Sequence, residues 1–230
     1  MSTIVSMPSM FLAAGPAELG SETSRYAEFV RSLNVRLPKP TALVIATAEW
    51  ESPVQHIATG AGSGDLVLGL DIQSRFAAEC IRAELVDWQE PTSCVSALLR
   101  LLAPSSHVPV ALLSVNPKLV PEEHYRIGQA MQGLRERGVL LIGSGPIPTG
   151  PAAVRWSEWM HEHMLLWNLE ALFDYQRRAP ALAPSASPRP PAALAPLLLS
   201  MGAAEQEQQC RRLYKEANYR GSYLTAWRFG

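Results

Sequence analysis

The chain has 230 residues and carries 20 Lys plus Arg against 21 Asp plus Glu, a formal net charge of -1. That length can bury a sizeable core in one α/β domain, while so balanced a charge gives neither the basic footprint of a nucleic-acid binder nor a polybasic membrane anchor. Cys80, Cys94 and Cys210 are scattered thiols without a Cys-x-x-Cys pair, which speaks against a disulfide scaffold or a zinc ribbon and fits a reducing cytosol.

In chain order, residues 9–14 form a short apolar run expected as a strand. Residues 21–33 follow as a helix, with Tyr26, Phe29, Val30 and Leu33 at helical spacing. Residues 42–48 and 66–70 read as strands buried on both faces. A helix is expected over 75–86 from Phe76, Cys80, Ile81 and Leu85, and another strand over 108–115. Pro121-Glu122-Glu123 opens a further helix, because proline suits the first turn and acids favour the positive helix end, and Ile127, Met131 and Leu134 carry it to Gly138. Residues 139–143 form a strand.

Residues 152–178 are expected as the longest helical stretch, with Trp156, Trp159, Met160, Leu166, Trp167, Leu172 and Tyr175 packing into the core. Residues 179–191 hold five prolines and read as a loop over one face of the sheet, since the 39 residues that follow are too few for an independent domain. The apolar stretch over 192–204 contains proline and is too short to span a bilayer, so no membrane role is expected and the cytoplasm is the expected location. Strands alternating with helices predict an α/β fold, a single domain over 1–230 with a mostly parallel central sheet and helices on both faces.

Several local patterns resemble sites without meeting their requirements. His161-Glu162-His163 places its histidines about 200° apart on a helix, so they read as a solvated face. His124 reads as a surface residue in the first turn of its helix, and His56 and His107 as structural histidines. Gly60-Ala61-Gly62-Ser63-Gly64 looks like a dinucleotide loop, but is expected to precede a strand and open no helix. Ser144, between Gly143 and Gly145, lacks the spacing of a hydrolase elbow.

A second set of segments belongs together. Met10-Phe11-Leu12-Ala13-Ala14-Gly15, Thr47-Ala48-Glu49-Trp50, the run over 92–104 with Pro109-Val110 beyond it, and His124-Tyr125-Arg126-Ile127-Gly128 through Leu134-Arg135 to Gly143-Ser144-Gly145 stand in one order. Pro196-Leu197-Leu198, Met201-Gly202-Ala203-Ala204 and the closing 220–229 complete it. This series resembles the 4,5-DOPA extradiol dioxygenase group of the class III ring-cleaving dioxygenases, related to the protocatechuate 4,5-dioxygenase beta chain. The stretch over 124–145 resembles that group's "lGraLaplRdegvLiigSG" almost residue for residue.

The resemblance implies the family's fold, and it also marks departures. The family's opening strand ends Phe-Ile-Ser-His-Gly, and Ala14 stands at its metal-binding histidine; Glu49 stands at the metal-binding histidine of Ser-Ala-His-Trp. Ser93 replaces an active-site histidine, and Thr149 takes the place of the acid/base histidine. Counting back from Pro196 along His-Pro-Thr-Glu-Glu-His-Leu-Leu-Pro-Leu puts Pro188 and Ala193 on two more histidines. Non-heme iron needs a facial set of His and carboxylate ligands, and one carboxylate does not supply it. No catalytic metal and no other cofactor is therefore expected.

By the same resemblance, Glu49 is the candidate catalytic acid/base, and Ala14, Trp50, Ser93, Thr149, Pro188 and Ala193 line the substrate pocket. A desolvated Glu49 would have a raised pKa and could serve as general base or bind a substrate amine. The first functional expectation is a pseudoenzyme, a non-catalytic subunit partnered by a second copy or a ligand-complete homologue. It calls for an exposed apolar patch and a pocket filled by side chains. The alternative is a metal-independent enzyme reusing the pocket on a small aromatic or amino-acid-derived ligand, which calls for an open pocket where Glu49 meets other polar groups. An intact ring-cleaving dioxygenase needs ligands the sequence does not contain.

Overall fold

Residues 139–145, Val-Leu-Leu-Ile-Gly-Ser-Gly, are buried without a break, as a strand covered on both faces must be. The computed structural model describes residues 6–13, 16–20, 24–60, 63–88, 92–103, 108–145, 153–181, 194–217 and 223–230. In chain order the elements are β1 (Ser9–Ala13), α1 (Pro16–Gly20), α2 (Arg25–Arg36), β2 (Ala42–Glu51), β3 (Gln55–Thr59), α3 (Ser63–Ala78), β4 (Ala83–Asp87), α4 (Ser93–Leu102) and β5 (Val110–Val115). They continue with α5 (Pro121–Gln129), α6 (Gln132–Arg135), β6 (Val139–Gly145), α7 (Ala153–Leu165), α8 (Leu169–Phe173), α9 (Tyr175–Arg178), α10 (Ala195–Gly202), β7 (Cys210–Ala217) and β8 (Tyr223–Phe229).

Among the described residues the strands form one 8-stranded sheet in the order β4-β3-β5-β2-β6-β1-β8-β7. Its centre, β5-β2-β6-β1, is parallel. Antiparallel pairs flank that centre, β3 with β5 on one side and β8 with β1 on the other, while β4 runs parallel to β3 and β7 antiparallel to β8. The expected α/β sheet is thus mostly parallel but mixed. On one face Leu43, Ile45, Leu140 and Ile142 pack against Tyr26, Val30 and Leu98 of α2 and α4. On the other, Val44, Ile57, Leu113 and Leu141 meet Phe76, Ile127 and Leu199 of α3, α5 and α10. Beyond β1 a third cluster joins Phe11, Trp227 and Phe229 to Trp156, Met160 and Trp167.

Several expected elements differ. The run 66–70 lies in α3, where Leu68, Ile72 and Phe76 are buried at helical spacing while Leu66, Val67 and Leu70 are exposed; a short apolar run does not distinguish a strand from a helix. The helix expected over 75–86 stops at Ala78, because Ile81 N–H donates to Phe76 O (2.8 Å) and Cys80 N–H to Ala77 O (3.1 Å) around Cys80 at φ 57°. This is the closure of a Schellman turn with cysteine where glycine is usual, and residues 83–87 are then strand. The stretch 152–178 breaks into α7, α8 and α9 at Trp167, φ 49°, after which the Asn168 side chain accepts from Ala171 N–H (3.1 Å) to start α8. Leu166 is exposed, whereas Trp156, Met160, Trp167, Leu172 and Tyr175 join the core as expected.

The helix opened by Pro121 ends at Gln129 and resumes as α6; Glu123 Oε2 accepts from Val120 N–H (2.9 Å) at its start. Of residues 60–64, Gly60 follows β3 and Ser63 and Gly64 open α3, contrary to expectation, while 61 and 62 lie outside the described residues; the Asp65 carboxylate accepts from Val110 N–H (2.7 Å) in the first turn of α3. The apolar stretch expected near 192–204 includes α10, all of whose residues are buried. A Cβ on Gly128 would lie 2.1 Å from Leu199 O, and one on Gly202 2.0 Å from Tyr125 O, so α5 and α10 touch backbone to backbone. The Arg135 guanidinium donates to Met7 O, Ala203 O and the Glu207 carboxylate. Much of the proline-rich 179–191 lies outside the described residues, and no helix among those described is long and apolar enough to cross a membrane.

Candidate functional site

Strand β2 pairs regularly with β5 as far as Ala46 and then shifts register before Glu51. Such irregularities re-aim side chains at the ends of strands. Here Glu49 N–H donates to Thr47 Oγ1 (3.2 Å), and the Glu49 carboxylate is delivered to the first turn of α4, where Cys94 N–H donates to its Oε2 at 3.3 Å. Thr92 caps α4 through its side chain, which accepts from Val95 N–H. A carboxylate at this position is favoured by the unpaired amides and the positive end of the helix.

The contact also reaches the Cys94 thiol. Burial pushes its pKa well above the ordinary thiol range, and the hydrogen bond to Glu49 and the charge of Glu49 push it further the same way. Glu49 itself is exposed, so the desolvated carboxyl considered from the sequence is not what the fold provides.

Beside Glu49 lies a cleft of about 420 Å³, within the range of small-molecule sites. Ala58 and Leu112, partners in the β3–β5 register, contribute apolar lining. Glu49 and Trp50 come from the end of β2, Asp87 from the end of β4 with Trp88 next to it, and Thr92 from the cap of α4. His56 lines it from β3, its ring 6.0 Å from that of Trp50 and its Nε2 3.8 Å from Glu84 Oε2. Trp88 N–H donates to Thr59 O (2.9 Å), which fixes the wall that carries it.

Of the residues singled out in the sequence, Glu49 and Trp50 share this cleft. Ser93 is the exposed first residue of α4, and its neighbour Thr92 lines the cleft instead. Ala14, Thr149, Pro188 and Ala193 lie outside the described residues, as does His107. His56, Asp87 and Trp88 were missed as site residues, because their approach depends on β3 and β4 pairing and neither strand was expected. His124 is buried rather than on the surface, and burial lowers its pKa to about 4 against the opposing charge of Glu123. His161 accepts from Trp227 Nε1 (3.2 Å) and the His163 ring lies 4.3 Å from that of Trp159, so the two histidines are packed and not simply solvated.

No protein-family model matches the chain. Among curated proteins it is 26% identical over 244 residues to a 4,5-DOPA dioxygenase extradiol of Portulaca grandiflora, spanning 90% of each chain. The protein of that name from Beta vulgaris is 31% identical over 128 residues, covering 50% of this chain and 47% of the relative. The one from Escherichia coli K12 is 22% identical over 171 residues, covering 65% and 63%. These relatives support kinship with the extradiol dioxygenase superfamily. A crystal structure of an uncharacterized protein from E. coli K12 shares the fold, with a TM-score of 0.80 at 20% identity, covering 97% of this chain and 100% of that one.

An extradiol dioxygenase implies a metal held by a facial set of His and carboxylate donors. Among the described residues no group of three or more His, Cys, Asp or Glu is gathered closely enough to hold an ion. Glu49, His56 and Asp87 border one cleft without forming such a group. The described donors therefore do not fit a resident iron of the superfamily kind.

Proposed function

We propose that this relative of the extradiol dioxygenase superfamily has given up metal-dependent ring cleavage and uses the cleft at the end of β2 as a metal-independent small-molecule site. The observation that carries the reading is Glu49, at a histidine position of the family, bordering an open cleft of about 420 Å³ together with His56, Asp87 and Thr92. Of the two expectations from the sequence, an open cleft with polar company for Glu49 belongs to the pocket-reusing one. Ala14, Pro188 and Ala193 bring no side-chain donor atom, and Ser93 and Thr149 bring only hydroxyls. In this reading the ligand set is lost collectively.

Glu49 can then act on a bound ligand as a proton acceptor. The Cys94 amide orients one carboxylate oxygen, and Trp50 and Trp88 line the cleft beside it. Three free thiols suit a cytoplasmic protein. The test is anaerobic loading of the purified protein with Fe(II), desalting, metal analysis and oxygen uptake with DOPA and simple catechols. Retention well below one equivalent and no uptake above buffer are expected. One equivalent of iron with ring-cleaved product overturns the proposal.

A second reading, a non-catalytic subunit, draws on Leu66, Val67 and Leu70, which are 50%, 65% and 49% exposed on α3. Light scattering of the protein alone and mixed with a ligand-complete homologue tests it. A monomer at all concentrations, with no co-eluting complex, ends this reading.

A further inference from the structure

Resting on the reading of the cleft as a small-molecule site, we propose that its ligand is a small organic cation with an apolar body and no carboxylate. The inference comes from how the walls are built. Each offers an acid followed directly by a tryptophan, Glu49-Trp50 at the end of β2 and Asp87-Trp88 at the end of β4. Both fully charged lining groups are thus acids, and no Lys or Arg lines the cleft among the described residues. Ala58, Val86 and Leu112 add apolar surface.

This combination suits an ammonium group in particular. Carboxylates attract the charge at a distance, and indole faces attract it by their quadrupole once it is partly desolvated, an effect strongest for tryptophan. The apolar lining favours an aryl or alkyl body over a hydrated metal ion. A ligand carboxylate entering the same space meets Glu49 and Asp87 with no guanidinium or ammonium to pair it, and unpaired like charges are how a site rejects a near-isostere. An α-amino acid is therefore discriminated against, and the corresponding amine is accepted. His56, with its ring against Trp50 and its Nε2 toward Glu84, completes the aromatic lining.

The test is calorimetric titration of the full chain with three isosteric probes: phenethylamine, phenylalanine and 3-phenylpropionate. Benzyltrimethylammonium serves as a cation that cannot donate a hydrogen bond. Both cations should bind at least tenfold more tightly than phenylalanine, the propionate should not bind, and binding should weaken as salt is raised. Asp87→Asn and Trp88→Leu should each lower cation affinity at least fivefold, with unchanged circular dichroism and melting confirming that the variants are folded. If the acid probe binds as well as the amine and Trp88→Leu weakens both, the cation preference is overturned while the small-molecule site stands. If no probe binds at millimolar concentration, or binding ignores both substitutions, the cation assignment and the small-molecule reading of this cleft both fall.

Discussion

Gly128 of α5 and Gly202 of α10 stand where the two helices cross, each with its Cα against a carbonyl of the other helix, Leu199 O and Tyr125 O respectively. Backbone at that distance cannot swing aside as a side chain can. Gly128→Ala or Gly202→Ala should therefore cost roughly 1–3 kcal/mol by forcing the helices apart, although alanine is intrinsically the better helix former. Urea denaturation measures it, and a neutral or stabilising result would show that α10 shifts freely.

Arg135 is buried and donates to two carbonyls and one carboxylate that come from distant parts of the chain. Arg135→Met strips the donors from Met7 O, Ala203 O and Glu207 together, a loss expected at roughly 3–5 kcal/mol. Arg135→Lys should recover little of it, since a single ammonium does not reproduce the planar fork. Denaturant midpoints of the three proteins decide the point.

Acid should destabilise the protein through His124. Its pKa in the fold is lowered to about 4 by burial, while in the unfolded chain it lies near 6.5. Between those values the unfolded state binds the extra proton, so stability is full above about pH 6.5 and falls as the pH drops toward 4, by up to about 3 kcal/mol. His124→Leu should flatten this part of the pH–stability profile. An unchanged slope in the variant would assign the acid sensitivity to another group.

Thiol labelling should separate the cysteines. Cys80 is exposed, whereas burial raises the pKa of Cys94 well above the ordinary thiol range and that of Cys210 to about 12. At pH 8 the native protein should give one fast-reacting thiol, with the other two labelled only on opening, because the thiolate is the reactive form. Glu49→Gln weakens the carboxylate's hold on the first turn of α4 and should speed the opening that exposes Cys94, raising its labelling rate while leaving Cys210 unchanged. Equal rates at all three thiols would contradict the packing around α4.

The sequence carried the interior of the fold best. Largely apolar runs such as those beginning at Val139 and Ala42 are buried over 139–145 and 42–47, as strands covered on both faces are. The edge strand β4 was misread because Ala83-Glu84-Leu85-Val86-Asp87 is short and half-buried, and because Cys80 adopts a left-handed turn with no glycine to announce it. In the site, Glu49 and Trp50 stood out because the end of β2 resembles the family's Ser-Ala-His-Trp, with Glu49 at the histidine position. Asp87, Trp88 and Thr92 are far away in sequence, and their meeting with Glu49 depends on the order in which strands assemble, which local pattern does not encode. The segment 124–145, where the resemblance to the family is fullest, contains Gly128, which admits α10; Arg135, which ties distant segments; and Gly143, whose Cβ would sit 2.2 Å from Pro196 O.

Among the described residues the sheet ends in β4 on one side and β7 on the other, and each of these edge strands carries charge. Glu84 and Asp87 are exposed along β4, and Arg211 and Lys215 along β7. Pairing either edge with a strand of another molecule would bring these side chains between the joined chains and cost them water, the usual guard against strand addition and aggregation. Self-association by extending the sheet is thereby disfavoured at both ends. Copies of this chain that do meet should do so helix to helix, across the uncharged residues that α3 presents to solvent.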